Sequence, residues 1–181
     1  MPISIDMDEK FFSFANLPAL TSDVIQDALT AEYEISEMPS LLRAEANLFK
    51  QTDFYKKFDQ HFGKCGAYYL KNYPMMLYDW HIDRNRTCAV NWVIKSGPRS
   101  ATFHRDTYQN DLLTKNRLEK NLKILFWDLT EIEYRQYYPT LIRTDIEHCI
   151  VNNDPEDRII LSLSTLNGGY EEVKDFLLNQ Q

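Results

Sequence analysis

Cysteine is scarce in this 181-residue chain, and the three present, Cys65, Cys88 and Cys149, form no CxxC pair. An odd number without a metal-binding spacing argues against a disulfide framework and fits buried thiols in a reducing compartment. No stretch of about 18 apolar residues runs together, so no membrane-spanning helix is expected. Residues 1–10 carry Asp6, Asp8 and Glu9 where an export signal would have a basic and then an apolar segment. These absences lead to an expected cytoplasmic location. Positive charge does not predominate either: 20 Lys and Arg stand against 27 Asp and Glu, a formal net charge of −7. No basic run interleaves with aromatics in a way that suits a phosphate backbone, and nucleic acid is not an expected partner. Internal repeats, low-complexity tracts and Gly/Ser linkers are missing as well.

What is present is 44% hydrophobic and 13% aromatic residues, enough for one sizeable core and a single domain. The texture changes along the chain, from a helical support region (residues 1–64) to a strand-rich core (65–165) and a short C-terminal helix (166–181). Thr21 and Ser22 are placed to cap a helix running to about Ala31, and Glu45 to Phe62 has Leu48, Phe54, Tyr55, Phe58 and Phe62 at helical spacing before Gly63. Short segments rich in Tyr, Val, Ile, Trp and Thr then predict strands at Gly66–Leu70, Met75–Ile82, Thr87–Lys95 and Ala101–His104. Others follow at Leu122–Trp127, Glu131–Tyr137, Thr140–Thr144, His148–Val151 and Arg158–Ser164, before a helix after Gly168 and Gly169. Eight or nine short strands with turns between them predict a mostly β fold with flanking helices, a barrel or two-sheet jelly roll of the double-stranded β-helix kind.

His81 and Asp83 lie two apart at a strand end, so both side chains project to the same side. His148 opens a later strand 65 positions on (148 − 83), far enough for the chain to cross the barrel and return. Two histidines and one carboxylate are the set that leaves three positions of octahedral Fe(II) open. Ten residues further (158 − 148), Arg158 begins a segment whose odd positions are Ile159, Leu161 and Leu163, which puts Arg158, Ile160, Ser162 and Ser164 on the other face. A guanidinium inside a barrel is costly unless it meets an anion, and its forked donors match a carboxylate. An incoming dicarboxylate would supply one. The intervening Asn152 to Asp157 reads as a tight hairpin turn that would set His148 and Arg158 on neighbouring antiparallel strands.

This order of His81, Asp83, His148 and Arg158 resembles the Fe(II)/2-oxoglutarate-dependent oxygenases. The run His81-Ile82-Asp83-Arg84-Asn85-Arg86-Thr87-Cys88-Ala89-Val90-Asn91 is similar to the first-motif region of small bacterial and phage members related to aspartyl/asparaginyl hydroxylases. Pro139 to Ile142, His148 to Asn152 and Arg158 to Ser162 are similar to their second-motif region, so the resemblance spans about Tyr68 to Ser164. It implies a double-stranded β-helix, Fe(II) on His81, Asp83 and His148, and 2-oxoglutarate with its distal carboxylate on Arg158, with Ser162 as a second donor. The implied activity couples 2-oxoglutarate decarboxylation to hydroxylation of a small molecule or a peptide side chain.

Other readings of the same residues stand beside this one. Asn91, Tyr68, Tyr69 and Tyr78 could line the site; Arg86 could reach a carboxylate near the metal or be solvated. Arg158 could instead pair with Asp154, Glu156 or Asp157 at the rim. His104 offers a three-histidine set with His81 and His148, closer to a cupin-like metalloenzyme that needs no 2-oxoglutarate. His61 lies on the preceding helix. Cys88 and Cys149 each adjoin an inward-pointing residue, so alternation turns them away. A barrel that keeps ligand residues but serves as a non-catalytic binding protein is a third reading, and co-substrate dependence separates it from the first.

Overall fold

In the computed structural model the described residues are 11–14, 17–36, 41–105 and 129–180. Their strands are β1 (Phe11–Ser13), β2 (Glu34–Ile35), β3 (Leu41–Glu45), β4 (Cys65–Asn72), β5 (Met76–His81), β6 (Cys88–Lys95), β7 (Ser100–Arg105), β8 (Leu129–Glu131), β9 (Pro139–Arg143), β10 (His148–Asn152) and β11 (Arg158–Thr165). Helices α1 (Ser22–Thr30), α2 (Asn47–Lys50) and α3 (Asp53–Phe62) come early and α4 (Tyr170–Leu178) closes the chain. None of them is long and apolar enough to cross a membrane.

The strands form two antiparallel sheets, one of seven in the order β1-β9-β6-β11-β4-β3-β2 and one of four in the order β5-β10-β7-β8, which is a jelly roll. The first third therefore supplies three strands as well as helices. Alternation along the central strands of the large sheet divides its two faces. Ala67 and Tyr69 of β4, Val90, Trp92 and Ile94 of β6, Leu141 of β9 and Ile159, Leu161 and Leu163 of β11 point outward and form the main core with α1 to α4. Trp92 packs against Phe49 and Phe54 with ring centroids 5.3 and 5.9 Å apart, and Phe176 of α4 meets Phe58 at 5.4 Å. Edge-to-face pairs of this kind contribute about 0.5–1.5 kcal/mol each beyond burial. The opposite face carries Arg158, Ser162, Asn91 and Thr140, all buried, and looks toward the four-stranded sheet. Cys88 belongs to the outer core, where burial pushes its thiol up to about 11.

Three expectations need correction. The helix expected over Glu45 to Phe62 is two helices: Glu45 ends β3, and the Thr52 hydroxyl accepts from the Tyr55 N–H at 3.2 Å, starting α3 afresh. Gly63 then ends α3 at φ 64°, a left-handed conformation that favours glycine, with its N–H on Asp59 O at 2.7 Å. The strand expected over Glu131 to Tyr137 stops at Glu131, because the chain turns through Tyr137, at φ 67°, with Tyr138 N–H on Arg135 O. The strand expected at 122–127 lies outside the described residues.

Most important for the site, β10 and β11 are not a hairpin. Asn152, fully buried, donates through Nδ2 to Tyr73 O and Glu156 O at 2.9 Å each, and its Oδ1 accepts from Ser100 Oγ at 2.6 Å and Asp154 N at 3.2 Å. The Asp154 carboxylate accepts from Arg99 N at 3.1 Å and competes with Asn152 Oδ1 for the single Ser100 hydroxyl hydrogen, 2.6 Å from its oxygen, and a Cβ at Gly97 would overlap it. These side-chain bonds turn the chain at 152–157 from the small sheet into the large one. His148 and Arg158 consequently lie on facing sheets.

Candidate metal centre and the cavity behind it

His148, at the start of β10, is the cross-strand partner of His81 on one side and of His104 on the other. Asp83 follows β5 directly, its N–H bound to Thr144 O at 2.9 Å. The ligand atoms of His81, Asp83 and His148 lie within 4.8 Å of one another, the one such group of His, Cys, Asp or Glu among the described residues. His81 Nε2 is 3.8 Å from Asp83 Oδ1, and the two imidazole centroids are 4.1 Å apart.

The ring nitrogens are assigned by their partners. His81 Nδ1 is 2.8 Å from Asp79 O and His148 Nδ1 is 2.9 Å from Ile146 O. A carbonyl can only accept, so each Nδ1 carries the hydrogen and each neutral ring keeps its lone pair on Nε2, the arrangement of a metal-ligating histidine. Burial, and then the neighbouring His81, hold the His148 pKa down at about 4. The unfolded chain takes up this proton near pH 6.5, so the metal-free fold should lose stability as pH falls from 6.5 toward 4, by up to about 3 kcal/mol. Denaturant unfolding of wild type and His148→Gln across that window checks this; parallel curves for the two proteins would refute it.

Asp83 Oδ2 accepts from Arg86 Nε at 2.7 Å, so Arg86 does reach the site carboxylate. His104 is buried, but its Nε2 donates to Arg143 O at 2.8 Å, across the sandwich. It stands outside the close group, with its ring 6.0 Å from that of His148. His61 packs on Phe62 and Phe176 away from the site.

Arg158 is 1% exposed. Its Nη2 donates to Thr102 Oγ1 at 2.9 Å, and its Cζ lies 5.6 Å from the Tyr134 ring centroid. Burial lowers its pKa and the nearby Tyr134 hydroxyl acts in the opposite sense, while Nε and Nη1 have no hydrogen-bond partner of normal geometry among the described residues. The three rim acids of the alternative pairing are engaged elsewhere: Asp154 as above, Glu156 with Lys95 at 2.9 Å and Asp157 with Lys71 at 3.6 Å. A buried guanidinium with open donors and no counter-ion among the described residues is a destabilising arrangement in itself, and it fits a site that receives an anion.

A cavity of about 60 Å³ between the sheets is lined by His81, Asp83, His148, Asn91, Ser162 and Arg158's partner Thr102, among others. Asn91 Oδ1 is buried without a partner. An open cleft of about 770 Å³ shares His81, Asp83 and Arg86 with this cavity and is also lined by Ile82, Arg84, Asn85 and Glu147. The close group thus sits where an inner cavity meets an outer cleft. Of the tyrosines expected here, Tyr78 lines the cavity. Tyr69 turns outward, its hydroxyl on Asp27 at 2.8 Å, and Tyr68 lies under Arg43 and Lys50. Sequence reasoning missed Thr102, although it shares alternation parity with the buried His104, and Tyr134, for which the sequence carried no signal.

No protein-family profile matches the chain, and no curated protein matches it. Solved structures do share the fold. HygX from Streptomyces hygroscopicus, with nickel, 2-oxoglutarate and hygromycin B bound, superposes with TM-score 0.56 at 10% identity over 86% of this chain and 83% of its own. A Pseudomonas putida prolyl-4-hydroxylase gives 0.53 at 11% identity over 90% and 95%. SnoN, a non-haem alpha-ketoglutarate-dependent epimerase from nogalamycin biosynthesis, gives 0.52 at 12% identity over 85% and 76%.

Proposed function

We propose that this chain is a non-haem Fe(II)- and 2-oxoglutarate-dependent oxygenase, a hydroxylase of a small-molecule or peptide substrate. The observation that carries the reading is Arg158, buried with unfilled donors and no acid beside it among the described residues, behind a close His-Asp-His group. The fold shared with HygX, SnoN and the prolyl-4-hydroxylase supports it.

In this reading His81 and His148 give their Nε2 lone pairs and Asp83 its Oδ1 to the metal. Their Nδ1–H bonds to Asp79 O and Ile146 O hold both rings in the required tautomer. Arg158 takes the distal carboxylate of 2-oxoglutarate, with Thr102 fixing the guanidinium and Ser162 and Asn91 offering further polar contacts from the cavity wall. Ile142, Ile150 and Ile160 line the same cavity and keep water from it. When bound, iron and 2-oxoglutarate supply oxidation of a substrate C–H bond coupled to decarboxylation of the keto acid. The substrate approaches from the outer cleft.

The test is an anaerobic titration of metal-free protein with Fe(II) and then 2-oxoglutarate, followed through the visible charge-transfer band of the chelate. The expected band saturates at one equivalent and is lost in His81→Ala. Iron binding without a band would overturn the 2-oxoglutarate reading in favour of a cupin-like metalloenzyme. Absence of iron binding would leave a binding protein.

A further inference from the structure

A carboxylate can meet a metal through one oxygen or through both. In Asp83 the two oxygens are already differentiated. Oδ1 lies 3.8 Å from His81 Nε2, within the close group, whereas Oδ2 accepts from Arg86 Nε at 2.7 Å. Arg86 is itself held in place. Thr144, 1% exposed at the end of β9, accepts the Asp83 N–H on its carbonyl at 2.9 Å and donates its hydroxyl to Arg86 O at 3.2 Å. Its own N–H donates to Thr87 O at 2.9 Å. One buried threonine thus ties both ends of the turn 83–86, and the guanidinium stays on Oδ2.

Resting on the reading of this group as a metal centre, we propose that Arg86 is a positioning residue that restricts Asp83 to a single oxygen toward the metal. Three protein donors then leave three positions of an octahedral ion open: two for a chelating keto acid and one more. A second Asp83 oxygen would take one of those three and compete with the chelate. Ion pairs three residues apart that keep some contact with solvent ordinarily add little to stability, and the Arg86 and Asp83 side chains are 26% and 19% exposed. Loss of Arg86 should therefore be felt in coordination more than in folding.

The test uses the metal-free full chain, Co(II) as the probe ion and then 2-oxoglutarate, in wild type, Arg86→Gln and Arg86→Lys. Visible absorption reports the Co(II) environment, and a melting curve reports the fold. Arg86→Gln should still bind one Co(II) and melt close to wild type, but with a changed Co(II) spectrum and a 2-oxoglutarate affinity about 10- to 100-fold weaker. Arg86→Lys should fall between the two. A merely structural ion pair would lower the melting point and leave both the spectrum and the 2-oxoglutarate affinity unmoved. Wild-type spectra and affinities in whichever of the variants fold overturn the inference. Failure of wild type to bind Co(II) instead overturns the metal-centre reading beneath it.

Discussion

Arg158→Met should abolish 2-oxoglutarate binding while making the ligand-free protein more stable. Hydrogen bonds to a charged group contribute about 1.5–3 kcal/mol each, so loss of two donors to the distal carboxylate weakens binding by roughly 100-fold or more. The stability effect has the opposite sign. Among the described residues Arg158 has Nε and Nη1 unpartnered and no acid in contact, so methionine removes a desolvated charge without stranding a counter-ion there. Replacing buried charge with apolar volume of similar size gains about 1–4 kcal/mol in comparable settings. Thr102 loses its donor but can rotate its hydroxyl toward the cavity it lines. Calorimetric titration with 2-oxoglutarate and a melting curve of the ligand-free variant measure the two effects. A variant that melts lower and binds 2-oxoglutarate as well as wild type would make Arg158 a structural residue.

Divalent metal should raise the melting temperature of wild type and leave Asp83→Ala nearly unaffected. At a free concentration of about 100 Kd a ligand that binds only the folded state stabilises by about 2.7 kcal/mol. For a chain of this size each kcal/mol moves the midpoint by about 2–4 °C, giving a shift of roughly 5–10 °C. Substitutions one step behind a metal already weaken it about 10- to 100-fold, so removal of a ligand should weaken it more. At the same metal concentration the stabilisation in Asp83→Ala then falls below about 1 kcal/mol. Co(II) or Mn(II) melts of both proteins decide it. Equal shifts would place the ion elsewhere.

The convergence of His81, Asp83 and His148 was legible because each sits at a strand boundary where spacing speaks directly: residues two apart share a face, and His148 opens a segment whose apolar neighbours mark it as a strand. The inward parity of Arg158 was legible for the same reason, since Ile159, Leu161 and Leu163 had to face a core. What the sequence did not reveal is which sheet each strand joins. The corner after Asn152 depends on Tyr73 and Ser100, which are 79 and 52 residues away, and local turn chemistry gives no sign of them. The expected hairpin was wrong for that reason, yet Arg158 still faces the cavity side, because parity survives a change of sheet. Thr52 shows the reverse problem, a local capping signal hidden inside a stretch of good helical spacing. The Arg86–Asp83 pair was visible only as a possibility, because the buried Thr144 that holds the turn comes 58 residues after Arg86.

The division of the large sheet into an apolar outer face and a polar inner one bears on how this protein can change. Tyr69, Trp92, Leu141 and Leu161 hold the helices, while their immediate chain neighbours Asn91, Thr140, Ile160 and Ser162 face the other way. The two sets interleave one residue at a time, and the inner residues stand outside the main core cluster. Mutational drift at every second position can therefore reshape what the inner chamber admits without eroding the fold. Selection on the shape of the chamber would act along one reading frame of the strands and selection for robustness along the other.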